Sequence, residues 1–202
     1  MIREIVMDRE RFESQMKFLI EADRMKNILR MTLIADGSRR ENDAEHSWHL
    51  ALMAMTLSEY AAEDIDISRV IQMALLHDIV EIYAGDTFAY DAKGNESKAQ
   101  READAADRIF AMLPEEQGRE YRALWEEFDA METPDSRYAA AIDRLQPLVN
   151  NYLTDGHTWR LGGVTSDKVY KRIAPAEKAM PEVWPVICEY IEKAIDKGML
   201  KR

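Results

Sequence analysis

The chain has 202 residues, of which 47% are hydrophobic, and its 27 basic and 38 acidic residues give a formal charge of −11. This length and composition predict a single domain with one substantial core. The negative charge repels extended polyanions, so we expect no long nucleic acid as a partner. A small anionic ligand remains compatible with the sequence, because a local group of arginines or a bound cation can reverse the sign inside one pocket.

The sequence predicts neither export nor insertion into a membrane. Residues 1–13 carry charges of both signs and lack the apolar stretch of a signal peptide. No apolar run approaches the roughly 18 residues that a membrane-spanning helix needs. The single cysteine, Cys188, cannot form an internal disulfide and fits a reducing compartment, so we expect a cytoplasmic protein.

Sparse glycine and proline and the absence of strand-like alternation predict an all-α fold. A first helix is expected from about Arg11 to Leu33, where apolar residues recur at approximately helical spacing. Asn42 followed by Glu45 matches a capping box that opens a second helix, and this helix carries His46 on its apolar face.

The rest of the chain is predicted to be helical as far as about residue 155. A third helix, about Ile67 to Ile82, is apolar nearly all round and should therefore lie in the centre of the bundle. Further helices are expected from Ser97 to Leu113 and after Pro114 and Pro134. Residues 156–202 contain several glycines and prolines, which predict loops and one last helix.

Four residues on three predicted helices form a candidate metal site. His77 and Asp78 fall inside the apolar third helix, where an ionised carboxylate is costly unless it is paired or bound to a metal. His46 on the preceding helix is placed to face His77 if the two helices pack antiparallel. Asp143 follows small residues in AAAIDRLQPLVNNYL that allow close helix approach, and Pro147 predicts a kink beside it.

These ligand types predict the kind of metal and a place for catalysis. Two imidazoles and two carboxylates suit a single divalent cation such as Mn²⁺, Fe²⁺, Co²⁺, Ni²⁺, Zn²⁺ or Mg²⁺, with positions left open for water and substrate. We therefore expect His46, His77, Asp78 and Asp143 to hold one such cation. Glu81 falls four residues after His77, close enough to orient or deprotonate an attacking water or to protonate a leaving group.

The segments EHSWHLALMA, ALLHDIVEIYAGD and AAAIDRLQPLVN resemble the HD-domain hydrolases, and within them the group that contains the 5′-deoxynucleotidases. The resemblance implies an HD-domain helical bundle over residues 1–202, with a metal-site core at about 15–155 and C-terminal loops and a helix at 156–202. It also implies a homodimeric, metal-dependent phosphohydrolase. Its expected substrate is a small phosphorylated molecule, a (deoxy)nucleoside 5′-monophosphate that a metal-activated water cleaves to nucleoside and phosphate.

The resemblance also implies residue roles. Asp78 and Glu81 are the candidate catalytic residues, Asp86 would contact the substrate, and Arg30 would bind its phosphate. Each of the last three residues has another interpretation. Glu81 could be a carboxylate that hydrogen-bonds a metal ligand, Asp86 could be an ordinary residue of a Gly-Asp turn, and Arg30 could be a cation at a helix C-terminus. His49 is expected to be a hydrogen-bonded core histidine rather than a ligand. The deoxynucleotidases place an aromatic residue shortly after the arginine, and RMTLIADG has none, so no base-stacking residue is predicted.

Two alternative functions fit the same motifs. A phosphodiesterase or alarmone hydrolase could use the same metal ligands, although four histidines are few for the di-metal phosphodiesterases. A nucleotide-binding protein that keeps the metal for stability alone is an alternative from outside the enzymes.

Overall fold

The computed structural model describes residues 8–202, which contain twelve α-helices and one two-stranded antiparallel sheet, so the predicted all-α fold class is confirmed. Residues 1–7, on which part of the expectation about a signal peptide rests, lie outside the described residues. None of the described helices is long and apolar enough to cross a membrane. The elements in chain order are α1 (Arg9–Ala22), β1 (Leu29–Leu33), β2 (Arg40–Asn42), α2 (Asp43–Thr56), α3 (Ile67–Leu76), α4 (Glu81–Ala84), α5 (Ala92–Glu96), α6 (Lys98–Phe110), α7 (Glu115–Ala130), α8 (Pro134–Leu153), α9 (His157–Leu161), α10 (Ser166–Ile173), α11 (Pro175–Ala179) and α12 (Trp184–Asp196).

The second half of the first predicted helix is not α-helical and contains the first strand of a β-hairpin. Helix α1 ends at Ala22, a short 3₁₀ turn follows, and β1 then pairs antiparallel with β2. Gly37 lies in the connection at a positive φ of 73°, a conformation that glycine adopts without strain. The β-branched Thr32 and Ile34 favour a strand here, and the paired strand supplies backbone hydrogen bonds that a local reading of the sequence does not reveal.

The third predicted helix ends earlier than expected, at Leu76. The chain then turns, because Ile79 N–H donates to the Leu76 carbonyl at 3.1 Å and Glu81 N–H donates to the Asp78 carbonyl at 2.9 Å. These are i to i−3 bonds, which tighten the backbone beyond an α-helical turn. His77 and Asp78 therefore lie at the C-terminal end of the buried helix and not in its middle.

Helices α2, α3 and α8 pack against one another in the centre of the molecule. The predicted capping box at the start of α2 is confirmed, since the Asn42 side chain accepts a hydrogen bond from Glu45 N–H at 2.9 Å. The small side chains of Ala139–Ala141 are buried on α8, so this helix approaches its neighbours closely. Helix α8 continues past Pro147.

The C-terminal segment contains four helices, so the prediction of loops with one last helix is wrong. Its glycines and prolines delimit helices instead of preventing them: Pro175 and Pro185 stand in the first turns of α11 and α12, where a missing N–H costs nothing. Gly156 precedes α9 in the left-handed conformation. Helix α9 contacts β1, and α10, α11 and α12 contact α8, so the segment covers elements of the central bundle.

Substitution of Gly156 tests this C-terminal packing. A Cβ at Gly156 would lie 2.3 Å from the Met199 carbonyl oxygen, whereas a Cβ at Gly163 would meet nothing within 4 Å. Both glycines have a positive φ, so each alanine variant should lose about 1–2 kcal/mol from backbone strain. We expect Gly156→Ala to lose about 1–3 kcal/mol more in urea unfolding because of the overpacking. Equal losses in the two variants would contradict the described packing.

Candidate metal centre and adjoining pocket

Three side chains from different parts of the central bundle meet in the interior. His46 stands in the first turn of α2, His77 follows α3, and Asp143 lies on α8. All three are buried, and one ligand atom from each lies within 4.8 Å of the others. His46 Nε2 is 3.1 Å from Asp143 Oδ1, and His77 Nε2 is 3.7 Å from the same oxygen. Such a group has the geometry to surround a cation.

Asp78 joins this group and connects it to a second one. Its Oδ2 lies 3.0 Å from His77 Nε2 and 3.8 Å from His46 Nε2. The four residues predicted from the sequence therefore converge. Asp78 also belongs to a cluster with Asp43 and Glu81, whose carboxylate oxygens lie within 4.8 Å of one another.

Hydrogen bonds orient both imidazoles so that Nε2 faces the cluster. His77 Nδ1 lies 2.9 Å from the Ala74 carbonyl oxygen, which can only accept, so Nδ1 carries the proton. His46 Nδ1 lies 3.2 Å from Gln146 Oε1, and the amide orientation of Gln146 is determined by its Nε2, which donates to Glu41 at 2.6 Å. His77 Nε2 is buried and lies near carboxylate oxygens of Asp78 and Asp143, but it makes no hydrogen bond of acceptable geometry within residues 8–202. A buried imidazole nitrogen that faces carboxylates in this way fits a metal ligand.

The pKa values of His46 and Asp143 indicate that the cluster favours an added positive charge. Burial and the charge of Arg30 lower the pKa of His46, but the hydrogen bond with Asp143 and the nearby carboxylates of Glu41 and Asp78 outweigh these effects and raise that pKa to about 9. Burial opposes ionisation of Asp143, yet the hydrogen bond from His46 and the charge of His77 hold its pKa well below the usual value. Without a bound metal, the proton on His46 therefore balances the negative charge of the Asp143 carboxylate. Neutral imidazoles and ionised carboxylates around a divalent cation achieve the same balance, so the donor set fits a metal.

Gln146 is a positioning residue that the sequence reasoning missed. It accepts a hydrogen bond from His46, and its Nε2 lies 3.4 Å from Nδ1 of half-buried His49. His49 therefore contacts the side-chain amide of Gln146 and not the cluster of histidines and aspartates. This contact agrees with its interpretation as a hydrogen-bonded core histidine. Gln146 follows Asp143 by three residues on α8, so its position on the same helix face was a usable signal.

In the second cluster, burial favours the neutral forms of Glu81 and Asp43. Burial also opposes ionisation of Asp78, but the charges of His77 and Arg30 hold its pKa below the usual value. Burial, followed by the charges of Asp78 and Asp43, raises the pKa of Glu81 well above its usual value. Burial and the charge of Asp78 raise the pKa of Asp43 to about 7. One oxygen of Asp43 and one of Glu81 lack a hydrogen-bond partner among the described residues. The sequence reasoning missed Asp43, because an acidic residue in the first turn of a helix is common without any functional role.

Arg30 lies beside both clusters. It is part of β1, and its Nη1 donates to Asp78 at 2.6 Å and lies 3.4 Å from Asp43 Oδ1. Because Arg30 belongs to a strand, its interpretation as a helix C-terminal cation is wrong. Asp86 follows Gly85 at the end of α4, and burial raises its pKa while the charge of Arg30 opposes that shift.

A cavity of about 130 Å³ adjoins the clusters through Arg30, Glu81 and Asp86. Its wall combines basic side chains with aromatic side chains, a composition that suits an anionic ligand with a planar group. The sequence reasoning did not predict the aromatic residues, because it looked for one after Arg30, whereas they come from the loop after α4 and from α9. The basic residues are Arg30, Lys98, Arg144 and Arg172, and the aromatic residues are Phe88, Tyr90 and Trp159.

Comparison with known protein families identifies this architecture. A family model described as "HD domain" matches residues 22–184. The chain therefore belongs to the HD-domain family, and the resemblance to HD-domain phosphohydrolases is confirmed. The match extends past residue 155, so it includes part of the C-terminal helices as well as the predicted metal-site core.

Several known proteins are similar to the chain. A crystal structure of a "Predicted metal-dependent phosphohydrolase" from Magnetospirillum magnetotacticum MS-1 is 49% identical, covers 96% of this chain and 100% of its own, and superposes with a TM-score of 0.90. The "5'-deoxynucleotidase HDDC2" of Homo sapiens is 26% identical over 137 residues, which is 67% of this chain. The protein of that name from Dictyostelium discoideum is 32% identical over 117 residues, or 55% of this chain. The alignments span 66% and 62% of these two relatives, slightly less than two thirds of their length.

Metal addition tests whether the clusters take up a cation. At a cation concentration about 100 times the dissociation constant, binding to the folded state alone adds about 2.7 kcal/mol. We expect Mn²⁺ or Co²⁺ to raise Tm by roughly 5–10 °C relative to excess chelator, since 1 kcal/mol shifts Tm by about 2–4 °C in a chain of this length. An unchanged Tm with every divalent cation would contradict the interpretation of the clusters as a metal centre.

Proposed function

We propose that the chain is a metal-dependent phosphohydrolase that converts (deoxy)nucleoside 5′-monophosphates to nucleoside and phosphate. The observation that carries the proposal is the junction between a buried histidine and carboxylate cluster and a cavity with basic and aromatic walls. Arg30 contacts Asp78 and also lines the cavity, and Glu81 belongs to the carboxylate cluster around Asp78 and also lines the cavity. A phosphate ester in the cavity would thus lie beside the clusters.

In this proposal His46, His77, Asp78 and Asp143 hold one divalent cation. Their Nε2 and carboxylate atoms face one another, and both imidazoles have their Nδ1 occupied by a hydrogen bond. A bound cation lowers the pKa of a water and polarises a phosphoryl oxygen, which is the chemistry that phosphate ester hydrolysis requires. We infer that Gln146 and Glu41 keep His46 in its ligating orientation.

Glu81 would manage the proton of the reaction. Its carboxyl group is buried next to Asp78, faces the cavity, and has an oxygen that no described residue hydrogen-bonds. A carboxyl group whose pKa burial raises is suited to take a proton from water and deliver it to a leaving oxygen. Arg30 would hold the phosphate, because a guanidinium presents donors that match phosphate oxygens.

The nucleotide part of the proposal rests on the named relatives and on the cavity wall. The human and Dictyostelium relatives are named 5'-deoxynucleotidases. Phe88, Tyr90 and Trp159 offer ring surface for a base, and Asp86 lies where it could accept hydrogen bonds from a sugar. These side chains supply the aromatic contact that the sequence after Arg30 lacks.

We also propose that the protein acts as a homodimer in the cytoplasm. Large apolar side chains are exposed on one face of α1 and on one face of α2, and such side chains are more often covered by a partner than left in water. The exposed residues are Phe12, Met16, Leu19 and Ile20 on α1, and Trp48, Leu52 and Met55 on α2.

Phosphate release from a panel of substrates tests the activity. We expect release from deoxynucleoside 5′-monophosphates with Mn²⁺ or Co²⁺, loss of release with chelator, and loss in Asp78→Asn because a ligand carboxylate is removed. Asp64→Asn, at an exposed aspartate, is the matched control and should behave as wild type. Release only from cyclic nucleotides or alarmones would favour the alternative hydrolases, and no release by metal-loaded protein would favour a binding protein.

A second substitution separates proton transfer from metal binding. Glu81→Gln keeps the size of the side chain but removes its proton exchange, so we expect kcat to fall roughly 100-fold to 10,000-fold. Metal content should remain close to wild type, because Glu81 is not one of the four proposed ligands. Glu96→Gln, at an exposed glutamate, controls for the change of charge. Unchanged kcat in Glu81→Gln would remove Glu81 from the mechanism.

A further inference from the structure

The cavity brings basic side chains from several elements together, and one of them lacks a carboxylate partner among the described residues. Four basic residues line it in a chain whose formal charge is −11, together with the carboxylates of Glu81 and Asp86. Three of the four lie near a carboxylate: Arg30 lies 2.6 Å from Asp78, Lys98 lies 3.2 Å from Glu102, and Arg172 on α10 lies 3.5 Å from Asp143. The fourth is Arg144 on α8.

Arg144 is a half-buried guanidinium without an acidic partner. Its Nη1 donates to the Ala140 carbonyl at 2.7 Å, and its Nη2 lies 3.1 Å from the Met131 sulfur. No carboxylate of residues 8–202 comes within 4.0 Å of its nitrogens. A cation in such a position is costly unless an anion joins it.

Arg172 stands on the outer side of the metal cluster. Its Nη2 lies 3.5 Å from Asp143 Oδ2, whereas the other oxygen of Asp143 faces His46. Its side chain is 40% exposed and lines the cavity, so its remaining donors are accessible to a ligand. Arg144 and Arg172 line the same cavity, so an anion bound between them would attract both guanidinium groups.

We propose that Arg144 and Arg172 form an anion subsite that binds the phosphate group of the substrate on the α8 and α10 side of the cavity. Arg30 approaches the same cavity from β1, so the phosphate would lie between guanidinium groups from separate elements. The subsite accepts a phosphomonoester dianion, because paired guanidiniums present several N–H donors in a planar arrangement that matches phosphate oxygens. The identification of the anion as substrate phosphate rests on the proposed function, whereas the subsite itself rests on the two arginines.

Binding of inorganic phosphate tests the subsite without requiring turnover. Isothermal titration calorimetry of the Mn²⁺-loaded protein would compare wild type, Arg172→Ala, Arg144→Met and the double variant. We expect each single variant to bind phosphate about tenfold more weakly or worse, since a charge-assisted hydrogen bond is lost. Lys171→Ala is the matched control, because Lys171 is exposed on the same helix as Arg172 and does not line the cavity. It should bind phosphate as wild type does.

Two further measurements distinguish a subsite from a structural role. Bound Mn²⁺ per chain should stay at the wild-type value in all variants, and Arg172→Lys should retain part of the phosphate affinity. If Arg144→Met fails to fold, Arg144→Lys is used in its place. This variant keeps the positive charge but loses the planar guanidinium group, so it should also bind phosphate more weakly. A Mn²⁺ loss that accounts for the whole effect would make Arg172 a positioning residue for Asp143 and overturn the proposal.

The outcomes for the subsite and for the proposed function are separable. Wild-type affinity for phosphate in the arginine variants, or no phosphate binding by wild type, would overturn the subsite even if nucleotides are hydrolysed. Arginine-dependent phosphate binding without hydrolysis of any nucleoside monophosphate would support the subsite and contradict the proposed function. If the subsite and the proposed hydrolysis are both correct, the arginine variants should raise KM for nucleoside monophosphates more than they lower kcat.

Discussion

The burial of several carboxyl groups around Asp78 is the constraint on which the rest of this structure depends. Asp43 and Glu81 form one cluster with Asp78, and His77 lies between Asp78 and Asp143 of the other cluster. Mutual repulsion and the loss of hydration both oppose such an arrangement, so the fold must provide positive charge at the same place. Arg30 provides one charge, and the imidazoles of the first cluster provide ligands or protons for the other.

Three local features of the structure bring the charged and ligating side chains together at this place. The i to i−3 turn after Leu76 directs His77 and Asp78 to the end of a buried helix and brings Glu81 to the same side. Alanine side chains on α8 allow the helix that carries Asp143 to approach closely. The β-hairpin then places Arg30 against Asp78 from outside the helical bundle.

The site has two layers of different chemistry. The inner layer is the cluster of histidines and carboxylates, which the hydrogen bond of Gln146 orients. The outer layer is the cavity, where basic and aromatic side chains accompany the carboxylates of Glu81 and Asp86. Because α9 and α10 supply Trp159 and Arg172 to the outer layer, the C-terminal helices contribute directly to ligand recognition in the proposed function. The inner layer would therefore determine the reaction, and the outer layer would determine which phosphate ester enters.

The sequence by itself determined the helical class and the set of residues in the inner cluster. Helical periodicity and capping are local properties, and buried polar residues such as His77, Asp78 and Asp143 stand out against apolar neighbours in one dimension. Only the tertiary structure decided what surrounds them. The hairpin depends on pairing between two separate segments, and the roles of Asp43 and Arg172 depend on distances to charges far away in the chain. Strand pairing and electrostatic interaction both act through space, so neither leaves a periodic signal in the sequence.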